Sequence, residues 1–152
     1  MGASGVAAAG GSPGSLGVGA EFQLSGFGGA SVNYDAGDFH VGGFLGFHDP
    51  EGDDNTEFDL GARFYYHVHS TAMSDFGVGG SFSVVNVPGP TPADPEARDT
   101  GVFIEPGVQL RVFLASNVAV SANVGLSIGV VDASGVDVTG QTIGGGLHYY
   151  FF

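Results

Sequence analysis

The side chains that could do chemistry are sixteen carboxylates, five histidines and three arginines, because the chain has neither cysteine nor lysine. The missing cysteine excludes disulfides, thiolate metal sites and thiol catalysis. His67 and His69 have the spacing that a strand would place on one side, yet a zinc site needs three or four converging ligands. The acidic segment 49–57 offers oxygen ligands without the spacing of a calcium loop. We therefore predict no metal centre and no cofactor.

A nucleophilic site would need a serine, a histidine and a carboxylate that converge at one place. His69 and Ser70 are adjacent in the sequence, but they fall in a short predicted turn. His48 precedes Asp49, and no nucleophile stands beside that pair. The sequence therefore predicts that the protein is not an enzyme.

The composition departs from that of a water-soluble domain. Charged residues make up 12% of the 152 residues and hydrophobic residues 43%, whereas a soluble domain is charged at about a quarter of its positions. The formal net charge is −13. A chain with so few cations cannot neutralise phosphates, so we predict no nucleic-acid binding. The length fits a single domain.

Hydrophobic residues alternate with small or polar residues along most of the chain, most regularly in residues 118–130. This period of two is typical of strands with two unlike faces. The alternation predicts eight strands, at residues 15–25, 29–35, 39–48, 56–68, 75–85, 100–113, 117–131 and 138–152. Their connections alternate between short and long, as in transmembrane barrels.

The volume inside a barrel decides which face points outward. Eight strands enclose room for one packed set of side chains or one small ligand. The apolar faces carry too many Phe, Leu, Ile and Val residues for that space, while the faces rich in Gly and Ser would fit. We therefore predict an all-β, eight-stranded antiparallel up-and-down transmembrane β-barrel at residues 15–152, after a flexible leader or signal-peptide remnant at 1–14. The alternative is a lipocalin-like soluble barrel that binds a small apolar ligand.

The end of the chain, Gly144 to Phe152, reads GGGLHYYFF and is rich in aromatic residues. In this feature and in its eight alternating strands, the chain from Leu16 onward resembles the small bacterial outer-membrane barrels of the OmpA/OmpX type. The resemblance implies a monomer in the bacterial outer membrane, surrounded by outer-membrane lipids. It also implies that the outer-membrane barrel assembly machinery recognises Tyr150 and Phe152.

The same resemblance implies a structural or surface role, such as adhesion or interaction through the loops. Some barrels of this size modify lipids, so a lipid-modifying outer-membrane enzyme is a second alternative. The long connections are acidic, and their negative field would favour cations at the mouth of a pore.

Rough heights along the strands place the inward polar residues at three levels, of which the one nearest the loops holds Gln23, His48, Glu57 and Asp59. Glu21, Arg63 and Glu105 share a middle level, where Arg63 is predicted to bridge the two carboxylates. A lower group lies nearer the short turns and consists of Asp35, His40, His67 and Arg111. The middle group either fills the interior or, as the OmpA-type resemblance suggests, gates a narrow cation-favouring pore.

Overall fold

A computed structural model of the chain describes residues 12–24, 27–49, 51, 56–88, 98–131 and 136–151. The strands are β1 (Leu16–Gln23), β2 (Gly28–Asp35), β3 (Phe39–His48), β4 (Glu57–Ser70), β5 (Ser74–Pro88), β6 (Arg98–Ala115), β7 (Val118–Val131) and β8 (Val136–Phe151). Each strand pairs antiparallel with its neighbours in sequence, and β8 pairs with β1 to close a barrel. In the part of the chain described, no helix is long and apolar enough to cross a bilayer.

The eight predicted strands are confirmed in number and order. The largest differences are in β5 and β6, which extend beyond the predicted 75–85 and 100–113 because the ladder continues until Pro88 pairs with Arg98. Short turns at 36–38, 71–73 and 116–117 alternate with connections at 24–27, 49–56, 89–97 and 132–135. The predicted leader lies outside the described residues up to position 11.

The apolar side chains point outward around the barrel. Leu60 is 63% exposed, and Phe58, Leu126 and Leu147 are likewise exposed. Small and polar side chains fill the enclosed space, here called the lumen. Examples of buried lumen residues are Ser31, Asn33, Asp59, Gln109, Ser121 and Thr142. The predicted orientation of the faces is confirmed, since the apolar face that a lipocalin-like barrel would place inside is exposed on the described strands.

Glycine allows neighbouring strands to approach closely at two positions. A Cβ at Gly29 would overlap the carbonyl oxygen of Leu45, and a Cβ at Gly79 would overlap that of Phe64. Strands in a narrow closed sheet must bend and coil, and glycine permits such bending. These glycines therefore support closure of the barrel.

A β-bulge changes the alternation near the end of β4. The register shifts between His67, which lies opposite Gly77, and His69, which lies opposite Phe76. Phe76 points outward and His69 is exposed, whereas His67 faces the lumen with the buried Gly77. The two imidazoles therefore lie on different faces, contrary to the simple alternation that would place them together.

Candidate functional site

The charged side chains of the lumen form two clusters, and the lower cluster surrounds Arg111 near the short turns. The guanidinium Nη2 of Arg111 lies 2.6 Å from Asp35 Oδ2 and 2.7 Å from Asp75 Oδ2. Its Nη1 donates a hydrogen bond of 3.0 Å to the hydroxyl of Tyr150. Antiparallel pairing places Asp75 directly opposite Arg111 on β5 and β6. Arg111, only 3% exposed, is thus held by three side chains from three other strands.

Two histidines extend the lower cluster. His67 Nδ1 donates to the backbone oxygen of Gly37 at 2.7 Å, so His67 Nε2 is free to accept. His40 Nδ1 lies 2.8 Å from this Nε2 and donates to it. Arg111 Nη2 also faces His67 Nε2, at 3.4 Å. The lower cluster therefore consists of Asp35, His40, His67, Asp75, Arg111 and Tyr150.

The upper cluster lies above it and consists of Arg63, Glu21, His148 and Ser31. Arg63 forms an ion pair with Glu21, and its guanidinium carbon lies 4.7 Å from the centre of the Phe44 ring. His148 Nε2 lies 3.2 Å from Glu21 Oε1 and 2.6 Å from Ser31 Oγ. The Nε of Arg63 is buried and has no hydrogen-bond partner among the described residues.

Glu105 is not part of the ion pair. Among the described contacts, its two carboxylate oxygens accept hydrogen bonds from Ser81, at 2.6 Å, and from Thr142, at 2.5 Å. Among the described residues, Arg63 forms an ion pair only with Glu21. The predicted bridge from Arg63 to both carboxylates is therefore replaced by one ion pair and a separate carboxylate held by hydroxyls.

Ser31, His148 and Glu21 have the residue types of a nucleophilic triad without its geometry. In such a triad the serine and the carboxylate contact different nitrogens of the imidazole. Here both contact the same nitrogen, Nε2. Ser31 and His148 are also buried in the lumen. This group orders the interior and does not activate the serine.

A cavity with about 40 Å³ of space for the centres of water-sized molecules lies in the lumen toward the longer connections and is partly open to solvent. Aromatic and charged side chains line it, including Phe27, Phe44, Tyr65, Asp59, Arg63 and Glu105. The cavity thus joins the upper cluster to Glu105 in one space. The lower cluster lies on the other side of it.

The structure brings together all four residues of the predicted lower group and adds Asp75 and Tyr150. Tyr150 was assigned to the assembly signal, and in the folded barrel its ring is inside, 1% exposed. The outward positions of Leu147, Tyr149 and Phe151 already indicate this orientation by alternation. Phe152 lies outside the described residues.

Sequence reasoning also missed Ser31, Phe44 and His148 as lumen residues. Alternation from His40 along β3 would have placed Phe44 inward. His148 stands two residues from the inward Tyr150.

The fold and the charged lumen define a closed eight-stranded antiparallel barrel with an apolar exterior. The sequence matches no protein-family model and no curated protein. Among solved structures, the chain is similar to the N-terminal β-barrel domain of OprF from Pseudomonas aeruginosa, with a TM-score of 0.70 and 16% sequence identity. The match covers 91% of this chain and 98% of that one. The predicted fold class is confirmed, and at this identity the likeness to an OmpA-type barrel is one of fold.

Proposed function

We propose that the protein is an integral barrel of the bacterial outer membrane with a structural or surface role. The observation that carries this proposal is the apolar exterior, which surrounds a sheet with no open edge. Soluble monomers seldom expose an apolar patch above a few hundred Å². A bilayer stabilises such a surface, and closure satisfies the backbone groups that lipid would leave unpaired.

Aromatic side chains near both ends of the barrel support the same proposal. Outward aromatic residues lie toward the short turns at Tyr34, Tyr66 and Tyr149, and toward the longer connections at Phe22, Phe47 and Phe58. Rings at these two levels resemble the aromatic girdles of membrane barrels, which lie in the headgroup regions. The spacing between the two levels would then correspond to the hydrocarbon layer.

The first test substitutes an outward residue near the middle of β7. Val124→Arg should lower the free energy of unfolding in lipid vesicles by about 2–4 kcal/mol, because a charge would face the bilayer centre. Leu114→Arg, near a short turn, should cost about 0–1 kcal/mol because it lies at the interface. Urea unfolding followed by circular dichroism and by cold and boiled SDS gels measures both. Equal losses, or a folded β spectrum in buffer without detergent, would contradict the proposal.

The expected partners follow from this placement. Outer-membrane lipids surround the exterior, and the monomer closes on itself. The barrel assembly machinery recognises Tyr150 and Phe152. Because the Tyr150 side chain is buried in the folded barrel, this recognition would precede closure.

A second candidate function is a narrow cation-favouring passage gated by Arg63. Its support is the incomplete pairing of Arg63, which among the described residues has one carboxylate partner and an unpaired Nε. Glu105 lines the same cavity. If the Arg63 guanidinium moved from Glu21 to Glu105, one side of the lumen would open. The lower cluster would also have to rearrange, so opening would be rare.

Planar-bilayer recordings test the gate. Arg63→Ala removes the cation from the upper cluster and should raise the fraction of time for which the barrel conducts. Arg98→Ala, which changes an exposed arginine at the end of the barrel, should leave that fraction unchanged. Identical conductance of wild type and Arg63→Ala would remove the gate from the proposal and leave the membrane barrel intact.

A further inference from the structure

We propose that the cavity in the upper half of the lumen binds a small organic ammonium ion. The inference uses the proposed membrane orientation only for the route of entry, and it does not require the lumen to conduct. The cavity leaves about 40 Å³ for the centres of water-sized molecules, and one water needs about 10–15 Å³ of such space. It therefore has room for a ligand of a few heavy atoms, and it combines apolar walls with a few converging polar groups.

The charges around the cavity favour a cation. Arg63 is neutralised by Glu21, which leaves Asp59 and Glu105 as two further carboxylates on the cavity wall. Glu105 receives hydroxyl hydrogen bonds from Ser81 and Thr142. Hydroxyl groups bring no positive charge, and carboxylates in a low-dielectric interior are costly unless a cation compensates them.

Asp59 supplies the second observation. It is 4% exposed, and its carboxyl group is hydrogen-bonded with Ser83, but its Oδ1 has no hydrogen-bond partner among the described residues. Buried acceptors of this kind are uncommon in folded proteins. An ammonium ion in the cavity would compensate the carboxylate charge, and a rotation of the Asp59 side chain would bring Oδ1 to its N–H group.

The aromatic wall selects an organic cation. Phe27, Phe44 and Tyr65 line the cavity, and aromatic faces attract ammonium and guanidinium groups. Arg63 already lies over the Phe44 ring in this way. Calcium takes about six to eight oxygen ligands, and no group of three metal-binding side chains was found among the described residues. An alkylammonium can instead place its charge at Asp59 and its chain against the rings.

The two ends of the lumen differ in access. The lower cluster closes one end with Arg111, Asp35 and Asp75, all buried. The cavity reaches Phe27 in the first connection on the opposite side. The ammonium would therefore enter from the end that carries the longer connections.

The test is a titration of ¹⁵N-labelled protein, refolded in micelles, with n-butylammonium. We expect saturable shifts of the backbone amides of Gly29, Phe44 and Gly46, which line the cavity. The uncharged analogue 1-butanol should not shift them. Asp59→Asn should raise the Kd by about 10- to 100-fold, the usual range for losing a hydrogen bond to a charged group.

Matched variants locate the site. Asp49→Asn changes an exposed carboxylate at the same end, outside this cavity, and should leave the Kd unchanged. Glu105→Gln should weaken binding and serves as the second variant should Asp59→Asn fail to fold. The band shift between cold and boiled gels reports folding of each variant separately from binding.

Three results would overturn the inference: no saturable shift, shifts confined to the acidic connections, or tighter binding of calcium than of n-butylammonium in the cavity. A barrel that folds only in detergent and gives any of these results retains the proposed function and loses the ammonium site. A barrel that folds in buffer without detergent and still binds the amine in the cavity retains the site and loses the proposed function.

Discussion

Arg63 and Arg111 occupy similar places in two levels of the same lumen, but their surroundings differ. Arg111 has two carboxylates and a tyrosine hydroxyl around its guanidinium. Within the part of the chain that the structure describes, Arg63 has the single carboxylate of Glu21, and its Nε is unpaired. The side chain of Arg111 is 3% exposed and that of Arg63 is 8% exposed, and both lie near an aromatic ring. The larger difference between them is therefore one of pairing.

This difference assigns different roles to the two levels. A buried charge held by two carboxylates and a hydroxyl keeps its surroundings in one arrangement, and removing it leaves its partners uncompensated. A buried charge with an incomplete set of partners breaks fewer hydrogen bonds and ion pairs when it moves. The lower cluster therefore fixes the barrel, while the upper cluster is the part of the lumen that can change.

The largest expected effect is on the lower cluster. Arg111→Met should lower the free energy of unfolding by about 3–5 kcal/mol, because Asp35 and Asp75 would be left buried without their cation. Urea unfolding in vesicles measures the loss. Arg98→Met is the control, since Arg98 is exposed and its hydrogen bonds to Asn86 and Thr56 are exposed as well, and it should have a much smaller effect. A loss as small as that of the control would show that Arg111 does not hold the barrel together.

The corresponding change in the upper cluster should cost less. Arg63→Met should lower the free energy of unfolding by about 1–3 kcal/mol, because it leaves one carboxylate, Glu21, which retains its contact with His148. The same unfolding measurement applies. If Arg63→Met costs as much as Arg111→Met, the two levels are equivalent and the comparison fails.

The smallest effect concerns one hydrogen bond of the lower cluster. Tyr150→Phe removes the hydroxyl that accepts from Arg111 and should cost about 1 kcal/mol, since Asp35 and Asp75 remain. Tyr149→Phe is the matched control, because Tyr149 is 47% exposed on the outer face. A greater loss for Tyr149→Phe than for Tyr150→Phe would place the hydroxyl that matters outside the lumen.

Much of this fold could be predicted because a barrel of this kind repeats one simple rule. Lipid requires one face of every strand to be apolar, and the narrow lumen requires the other face to be small or polar. Residues 118–130 follow that rule at almost every position. Strand number, order and orientation therefore followed from alternation and connection length.

The contacts inside the lumen were less predictable, because they depend on strand tilt and register. Heights along the chain placed Glu105 beside Arg63, but in the structure Glu105 lies opposite Ser81 on β5 and binds its hydroxyl. Asp75 stood at the start of a predicted strand, and only the pairing of β5 with β6 places it opposite Arg111. The bulge after His67 likewise could not be predicted, because the alternation of apolar and polar residues gives no sign of an extra residue in the strand.

The placement of the arginines has a practical consequence for proteolysis. Trypsin cleaves after arginine and lysine, and this chain offers it only Arg63, Arg98 and Arg111. In the folded barrel Arg63 and Arg111 point into the lumen, so Arg98, beside the connection at 89–97, is the remaining accessible site. Added to sealed vesicles, the protease would therefore cut only the molecules whose longer connections face outward. Cleavage after Arg98 would therefore report the orientation of the barrel in the membrane.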